Sequence, residues 1–281
     1  MSLKDLVSAS LPREPLTNEI QTEKPQLPQR SFWYLSCYNQ DADGDTQLHI
    51  LMVNLPLYNI TTQRLIDATW PTSLLNIRNS DGMTALHLAV MNNQPGIVRY
   101  LLVGGADPMS KDNWGRIPLH FACEKNNIDL LTALTKAFEP LEIAKMQSKK
   151  LTIPNLFKSI DMRNHNGETP LFIATENGLL NVVKHLVNLG AKINTMSYRD
   201  GRRPLYIAIF KGYKDITEFI LWHYHANPDK NTQFEYCYPE LITPLKQMGL
   251  EKAFIRILRV PEERMYPQHS SDNYQNALAF L

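Results

Sequence analysis

The chain has 281 residues, 43% of them hydrophobic, and a formal net charge of +1. That is enough apolar material for a large core and too little charge to draw the chain to nucleic acid or an anionic membrane. Its three cysteines, Cys37, Cys123 and Cys237, show no C-x-x-C spacing, which fits reduced thiols and a cytoplasmic or nuclear protein that is not secreted. M-S-L-K-D-L-V at the start lacks an apolar stretch of signal-peptide length. No apolar run reaches the roughly 18 residues of a membrane span, so no membrane association is expected.

Residues 1–35 scatter Pro12, Pro15, Pro25 and Pro28 among Glu, Gln and Thr without a sustained period, and are expected to form a flexible arm. The run Phe32-Trp33-Tyr34 at its end has two readings: a docking element, or a cover for the apolar edge of the first structural unit.

From residue 41 the chain repeats. D-A-D-G-D-T-Q-L-H-I begins at Asp41, D-G-M-T-A-L-H-L-A-V at Asp81, and G-R-I-P-L-H-F-A-C at Gly115. N-G-E-T-P-L-F-I-A-T and D-G-R-R-P-L-Y-I-A-I open two more units at Asn166 and Asp200. Gly82 and Gly115 are 33 positions apart, as are Leu86 and Leu119. Each unit predicts a turn and two antiparallel helices. Thr84 is placed to cap the first helix, with Leu86 and Ala89 on its buried face; Ile97, Val98, Leu101 and Leu102 form the stripe of the second. Gly104 and Gly105 then stop the chain where only glycine turns left-handed without cost. Nine residues after each capping position come Asn93, Asn126, Gly178 and Gly212, types suited to a left-handed turn between helices. Leu55 occupies that place in the first unit, so a different turn is expected there.

Two spacings break the period. Gly44 precedes Gly82 by 38, and Gly115 precedes Gly167 by 52. The second excess defines an insertion at about 138–160, bearing Lys145, Lys149, Lys150 and Lys158, expected as an extended loop or a helix off one edge. The fifth unit runs to His225-Ala226-Asn227-Pro228 without a terminating glycine, and a degenerate sixth begins at I-T-P-L-K-Q-M-G. The repeat block is therefore 36–258, followed by a short tail, 259–281.

A period near 33 containing T-x-L-H-x-A resembles the ankyrin repeat. The fold expected is all-α: an ankyrin-repeat solenoid of five to six helix-turn-helix repeats. Catalytic sets, a P-loop and metal motifs are lacking, so no catalytic residue, cofactor or metal is expected and the protein is not read as an enzyme. His49, His87 and His120 follow the repeat and are read as ties between units, not ligands. Cys123 falls where the repeat puts a small buried residue, and is read as a structural thiol.

The D-G-D-T-Q-L-H-I opening, the Q-P-x-I-V-R-x-L-L-x-x-G-A-D-P segment and an insertion after the third repeat together resemble the inhibitors of NF-kappa-B. L-T-K-A-F-E-P-L-E-I before the insertion is similar to the insect, Cactus-like members. The resemblance covers about residues 41–258. It implies a binding protein that grips a Rel/NF-kappa-B homology-domain dimer and represses it, itself monomeric when free and without direct nucleic-acid contact. It points to Asp43 and Asp45 in the first finger; Asp41 is added by proximity. Trp114, His165 and Arg202 are candidate tip contacts, Trp114 either packing on the next finger or meeting a partner. No D-S-G-x-x-S phosphodegron occurs in residues 1–40, and the tail is barely acidic. The implied inhibitor is therefore constitutive, a nuclear co-regulator, or a pathogen's mimic. The alternative is an ankyrin-repeat substrate adaptor or a scaffold for an unrelated protein partner.

Overall fold

The computed structural model describes residues 33–54, 60–226 and 241–250. The chain divides into two units, Met1–Trp33 and Tyr34–Leu281, and all that follows concerns the second. The arm expected over residues 1–35, the turn at Leu55, Asn227, Pro228 and the tail lie outside the described residues, apart from Trp33, Tyr34 and Leu35 at the arm's end.

Twelve α-helices and no strand occur among the described residues. The first repeat is α1 (Gln47–Asn54) and α2 (Ile60–Ala68); the second is α3 (Ala85–Met91) and α4 (Pro95–Gly104). The third is α5 (Pro118–Ala122) and α6 (Ile128–Thr135), after which the insertion contributes α7 (Pro140–Ser148). The fourth is α8 (Pro170–Glu176) and α9 (Leu180–Asn188), the fifth α10 (Pro204–Phe210) and α11 (Lys214–Ala226), and α12 (Ile242–Met248) starts a sixth. The chain is an ankyrin-type helical stack. First helices pack in one row, α1 on α3 on α5 on α8 on α10 on α12, and second helices in another, α2 on α4 on α6 on α9 on α11.

Two side-chain columns hold the rows together. Ala89, Ala122, Ala174 and Ala208, all fully buried, repeat at one place in α3, α5, α8 and α10, where a small side chain lets neighbouring backbones approach closely; α1 has buried Leu51 there. Ile97, Val98, Leu101 and Leu102 are likewise buried on α4, each worth roughly 1.5–3 kcal/mol against exposure. Gly105 ends α4 in the left-handed region at φ +105°, with its N–H on the Leu101 and Leu102 carbonyls. Gly104 is still helical, and a Cβ on it would collide with Ile66 of the preceding repeat.

The turn between helices follows the expectation in three repeats: Asn93, Gly178 and Gly212 have φ of 57°, 71° and 72°. Asn126 does not. In the third repeat the first helix stops at Ala122, Lys125 N–H donates to Ala122 O, and Asn127 N–H donates to Lys125 O at 2.8 Å, so the turn closes without a left-handed residue there. Asn127 instead caps α6 through its side-chain oxygen.

The insertion does not project from an edge. Its helix α7 packs on α4, with Met146 fully buried. Arg99 of α4 donates to both carboxylate oxygens of Glu142 at 2.8 and 2.6 Å, and to the carbonyls of Ala133, Lys136 and Ala137. Lys145 reaches Asp67 of α2 at 2.8 Å and the Tyr100 hydroxyl at 2.9 Å; Tyr100 donates to the same carboxylate. These partners pull the Asp67 carboxyl below its ordinary value against the opposing effect of burial. The aromatic run at the arm's end is in part a cover: Tyr34 is buried, and its hydroxyl donates to Trp70 O.

The histidine column ties repeat to repeat. Thr46, Thr84 and Ile117 N–H groups donate to Nδ1 of His49, His87 and His120, and each Nε2 donates onward to Met83 O, Arg116 O and Glu168 O at 3.1–3.2 Å. Both ring nitrogens are thus used by backbone, and the neutral tautomer is fixed. Burial, the largest cause, pushes the pKa of His87 and of His120 down to about 4. The unfolded chain therefore binds more protons than the folded one between pH 6.5 and about 4. Stability is full above that window and falls as pH drops through it, by roughly 3 kcal/mol per histidine. His49 and His185, also lowered, add to this; Glu124, raised, works against it. A thermal-unfolding midpoint followed by circular dichroism should fall steadily from pH 6.5 to 4.5. A flat midpoint there would show that the histidines are not held neutral.

Candidate functional site: finger tips and an acidic cleft

Between each second helix and the next first helix lies a finger with one construction. Asp41, Asn79, Asp112, Asn164 and Ser197 open the five turns, donating N–H to Asp45, Met83, Arg116, Glu168 and Arg202 carbonyls. A left-handed glycine closes each turn: Gly44, Gly82, Gly115, Gly167 and Gly201. Successive fingers are then joined by backbone. Ser80 N–H donates to Asp43 O, Asn113 to Asp81 O, His165 to Trp114 O and Tyr198 to Asn166 O, at 2.8–3.1 Å. The tips form a ladder with fixed spacing, and Gly115 carries no Cβ because the His165 ring occupies that space.

The three carboxylates of the first finger have separate positions. Asp41 Oδ1 accepts the N–H groups of Asp43 and Asp45 at 3.0 and 2.9 Å and so shapes its own turn. Asp45 Oδ1 accepts from Asn79 Nδ2 at 2.9 Å, joining the first finger to the second. The Asp43 carboxylate is exposed and has no hydrogen-bond or ion-pair partner among the described residues. One of the three faces solvent uncommitted.

Trp114 and His165, on adjacent fingers, line one cleft of about 570 Å³ between the third and fourth repeats. Its other walls include Glu124 at the end of α5 and Glu168, Glu176 and Asn177 of the fourth repeat. Trp114 is 51% exposed, with the Arg116 guanidinium 4.9 Å from its ring centroid. It packs within its own finger and leaves half its surface open. Arg116 is itself paired to buried Asp112 at 2.8 Å. Glu168 is engaged by Asn164 Nδ2 at 2.7 Å, and Glu176 lies 3.9 Å from Lys211. Glu124 has no such partner. Desolvation by its neighbours pushes its carboxyl up, countered in part by Arg116 and Lys125. A half-open tryptophan beside a carboxylate compensated only in part suits a cationic side chain.

Arg202 is remote from this cleft, on the fifth finger. Its guanidinium lies 5.0 Å from the Tyr206 ring and 5.6 Å from Phe210, and pairs with Asp200 at 3.5 Å. The structure thus brings Trp114 and His165 together and leaves the first-finger aspartates and Arg202 at separate places on the ladder. Glu124, Glu176 and Phe210 escaped the sequence reading. They share one place in the repeat with Val53 and Met91, seven residues after the capping position, and the whole column reaches the surface. Tabulating that column would have found them.

Among the described residues no helix is long and apolar enough to cross a membrane, and no group of three or more His, Cys, Asp or Glu side chains could hold a metal ion. The Cys123 thiol is fully buried and pushed up by desolvation.

The family model "Ankyrin repeats (3 copies)" matches residues 32–144, 103–196 and 141–233. The chain is 35% identical over 152 residues to NF-kappa-B inhibitor alpha of Rattus norvegicus, covering 54% of this chain and 44% of that one. It is 33% identical over 195 residues to NF-kappa-B inhibitor cactus of Drosophila melanogaster, covering 66% and 39%. The chain thus spans less than half the length of these relatives. Among solved structures, the ankyrin repeat domain of Bcl-3, described as a unique member of the IkappaB protein family, superposes with a TM-score of 0.58 at 28% identity. That match covers 77% of this chain and 86% of that chain.

The finger geometry separates two roles that the sequence alone merges. Replacing Asp41 by Ala removes the acceptor for two N–H groups and should cost about 1 kcal/mol of stability, as loss of a helix cap does. Asp43→Ala should leave stability unchanged. Urea unfolding of the two variants checks this; equal destabilisation would mean that Asp43 also shapes the turn.

Proposed function

The chain belongs to the ankyrin-repeat family, and from that premise we propose that it binds and represses Rel/NF-kappa-B transcription factors, as a constitutive inhibitor acting in the cytoplasm or nucleus. The likeness of its repeats to NF-kappa-B inhibitors supports this reading, joined to a first finger whose Asp43 carboxylate is unpaired and faces solvent. A Rel-homology dimer would be gripped from the finger side by a chain that is monomeric when free. Asp43 would order a basic segment of the partner through charge-assisted hydrogen bonds, with Asp45 and Asp41 fixing the turn that presents it. Trp114, Glu124 and His165 would receive a second contact in the cleft, and Arg202 a third on the fifth finger.

Titration of the chain against a panel of Rel-homology dimers tests the reading. Wild type should bind at least one, and Asp43→Asn should weaken binding several-fold at low salt. The difference should shrink as ionic strength rises, because partly exposed pairs are screened over roughly 8–10 Å near physiological salt. No binding to any Rel-homology domain would turn the reading toward an adaptor or scaffold for another protein.

Nowhere do the 281 residues contain a D-S-G-x-x-S motif. In stimulated cells the protein level should therefore hold through pathway activation, followed by chase after synthesis is blocked. Loss within minutes, dependent on kinase and proteasome, would contradict constitutive action.

A further inference from the structure

The ladder orders the finger tips from the first repeat to the fifth, and their charge changes along it. Counted with one flanking residue on each side, the first finger holds Asp41, Asp43 and Asp45 and no base. The three middle fingers are each within one charge of neutral. The fifth holds Arg199, Arg202 and Arg203 against Asp200 alone. Backbone bonds between successive tips fix this sequence of charges in space. At about 8–10 Å per packed helix the two ends stand some four steps apart, several screening lengths in physiological salt. Each end therefore meets a partner through its own local charge.

The fifth finger combines charge with apolar surface. Tyr198 is 69% exposed at the tip, and Phe210 is 55% exposed on α10. Arg202, lying over Tyr206 and Phe210, is the residue that Asp200 neutralises. The Arg199 side chain is exposed and has no hydrogen-bond or ion-pair partner among the described residues. Arg203 donates to Asn194 O, which holds its position but does not neutralise it. Two arginines of this finger therefore carry uncompensated charge, and the same finger and helix expose two aromatic rings.

We propose that the fifth finger and the end of α10 form a second docking surface, for an acidic segment of the partner that carries an apolar side chain. A carboxylate fits the planar donor array of Arg199, with Arg203 adding to the field, while the apolar side chain covers Phe210 and Tyr198. A partner bound along the whole ladder would then lie in one direction only, its basic stretch on the first finger and its acidic stretch on the fifth. This placement of both ends on one partner rests on the proposed binding function; the preference of the fifth finger for an acidic segment does not.

The test uses the full chain and two fluorescent decapeptides, one rich in Asp and Glu with a single Leu, the other its Lys counterpart, measured by anisotropy at low and moderate salt. The acidic peptide should bind wild type, lose about tenfold in affinity to Arg199→Glu, and lose less to Arg199→Lys, which keeps the charge without the planar donors. Asp81→Asn on the second finger should leave it within about twofold, since about three helix spacings screen that tip from the fifth. Arg199 has no partner to lose, so R199E should unfold at the wild-type midpoint, and circular dichroism checks that. Equal binding of both peptides, or an acidic peptide indifferent to R199E, would overturn the inference. A chain that binds the acidic peptide at the fifth finger and no Rel-homology domain would sink the proposed function and leave this surface standing.

Discussion

Backbone satisfaction between neighbours is the constraint on which the stack depends. A finger is an irregular turn that pairs part of its backbone internally, and groups left over find partners in the next finger and in the histidine of the preceding helix pair. His49, His87 and His120 each take an N–H from their own repeat and give one to the following repeat. The second, third and fourth fingers are held this way. Phe172 and Tyr206 occupy the histidine position in the last two repeats, where Thr169 Oγ1 takes the Phe172 N–H instead and contacts Thr195 Oγ1 at 3.2 Å. The histidine relay thus ends where Phe172 replaces it.

Nearest-neighbour coupling is the rule in repeat arrays, and the insertion is where this chain departs from it. Leaving the third repeat, α7 turns back over the second helices and reaches α2 of the first repeat through Lys145 and Lys149 on Asp67. Arg99, on the second repeat, gathers the carbonyl ends of α6 and the Glu142 carboxylate. The Arg99–Glu142 pair is the more buried part of this network, whereas solvent screens the exposed Asp67 end. Its consequence is connectivity: the first repeat, with a neighbour on one side only, is fastened also to the third. The repeat that presents Asp43 is the one so fastened.

How much of this was legible in the sequence depends on whether a residue's job repeats. Thr84, Leu86, Ala89 and Ile97 recur at fixed spacing, so period alone assigned them. Asp41 and Asp45 looked like neighbours of equal standing with Asp43, because alternation in sequence says nothing of which carboxylate turns inward to its own backbone. Asn126 departs from its column because α5 stops two positions earlier in the repeat than α3, and helix ends are where local bonding overrides register. Nothing in P-L-E-I-A-K-M-Q-S told against a helix, but its docking partner Asp67 lies far back along the chain, and long-range pairing leaves no trace in a local pattern.

The column seven residues past the capping position carries this one step further. Its members, Val53, Met91, Glu124, Glu176 and Phe210, differ in chemistry although their surroundings repeat. In the neighbouring column four repeats give one answer, Ala89, Ala122, Ala174 and Ala208, which cannot grow without forcing helices apart, and only the first repeat, packed on one side by a further repeat, holds the larger Leu51. Where packing sets no such demand, side chains are free to diverge, and the surface they build is apolar at both ends and acidic in the middle. Trp114 lines the cleft beside that acidic middle, and the Glu124 carboxylate there carries a desolvation cost that Arg116 and Lys125 relieve only in part. The positions that the repeat leaves unconstrained are thus where the chemistry of this surface is set, while the period fixes the backbone that carries them.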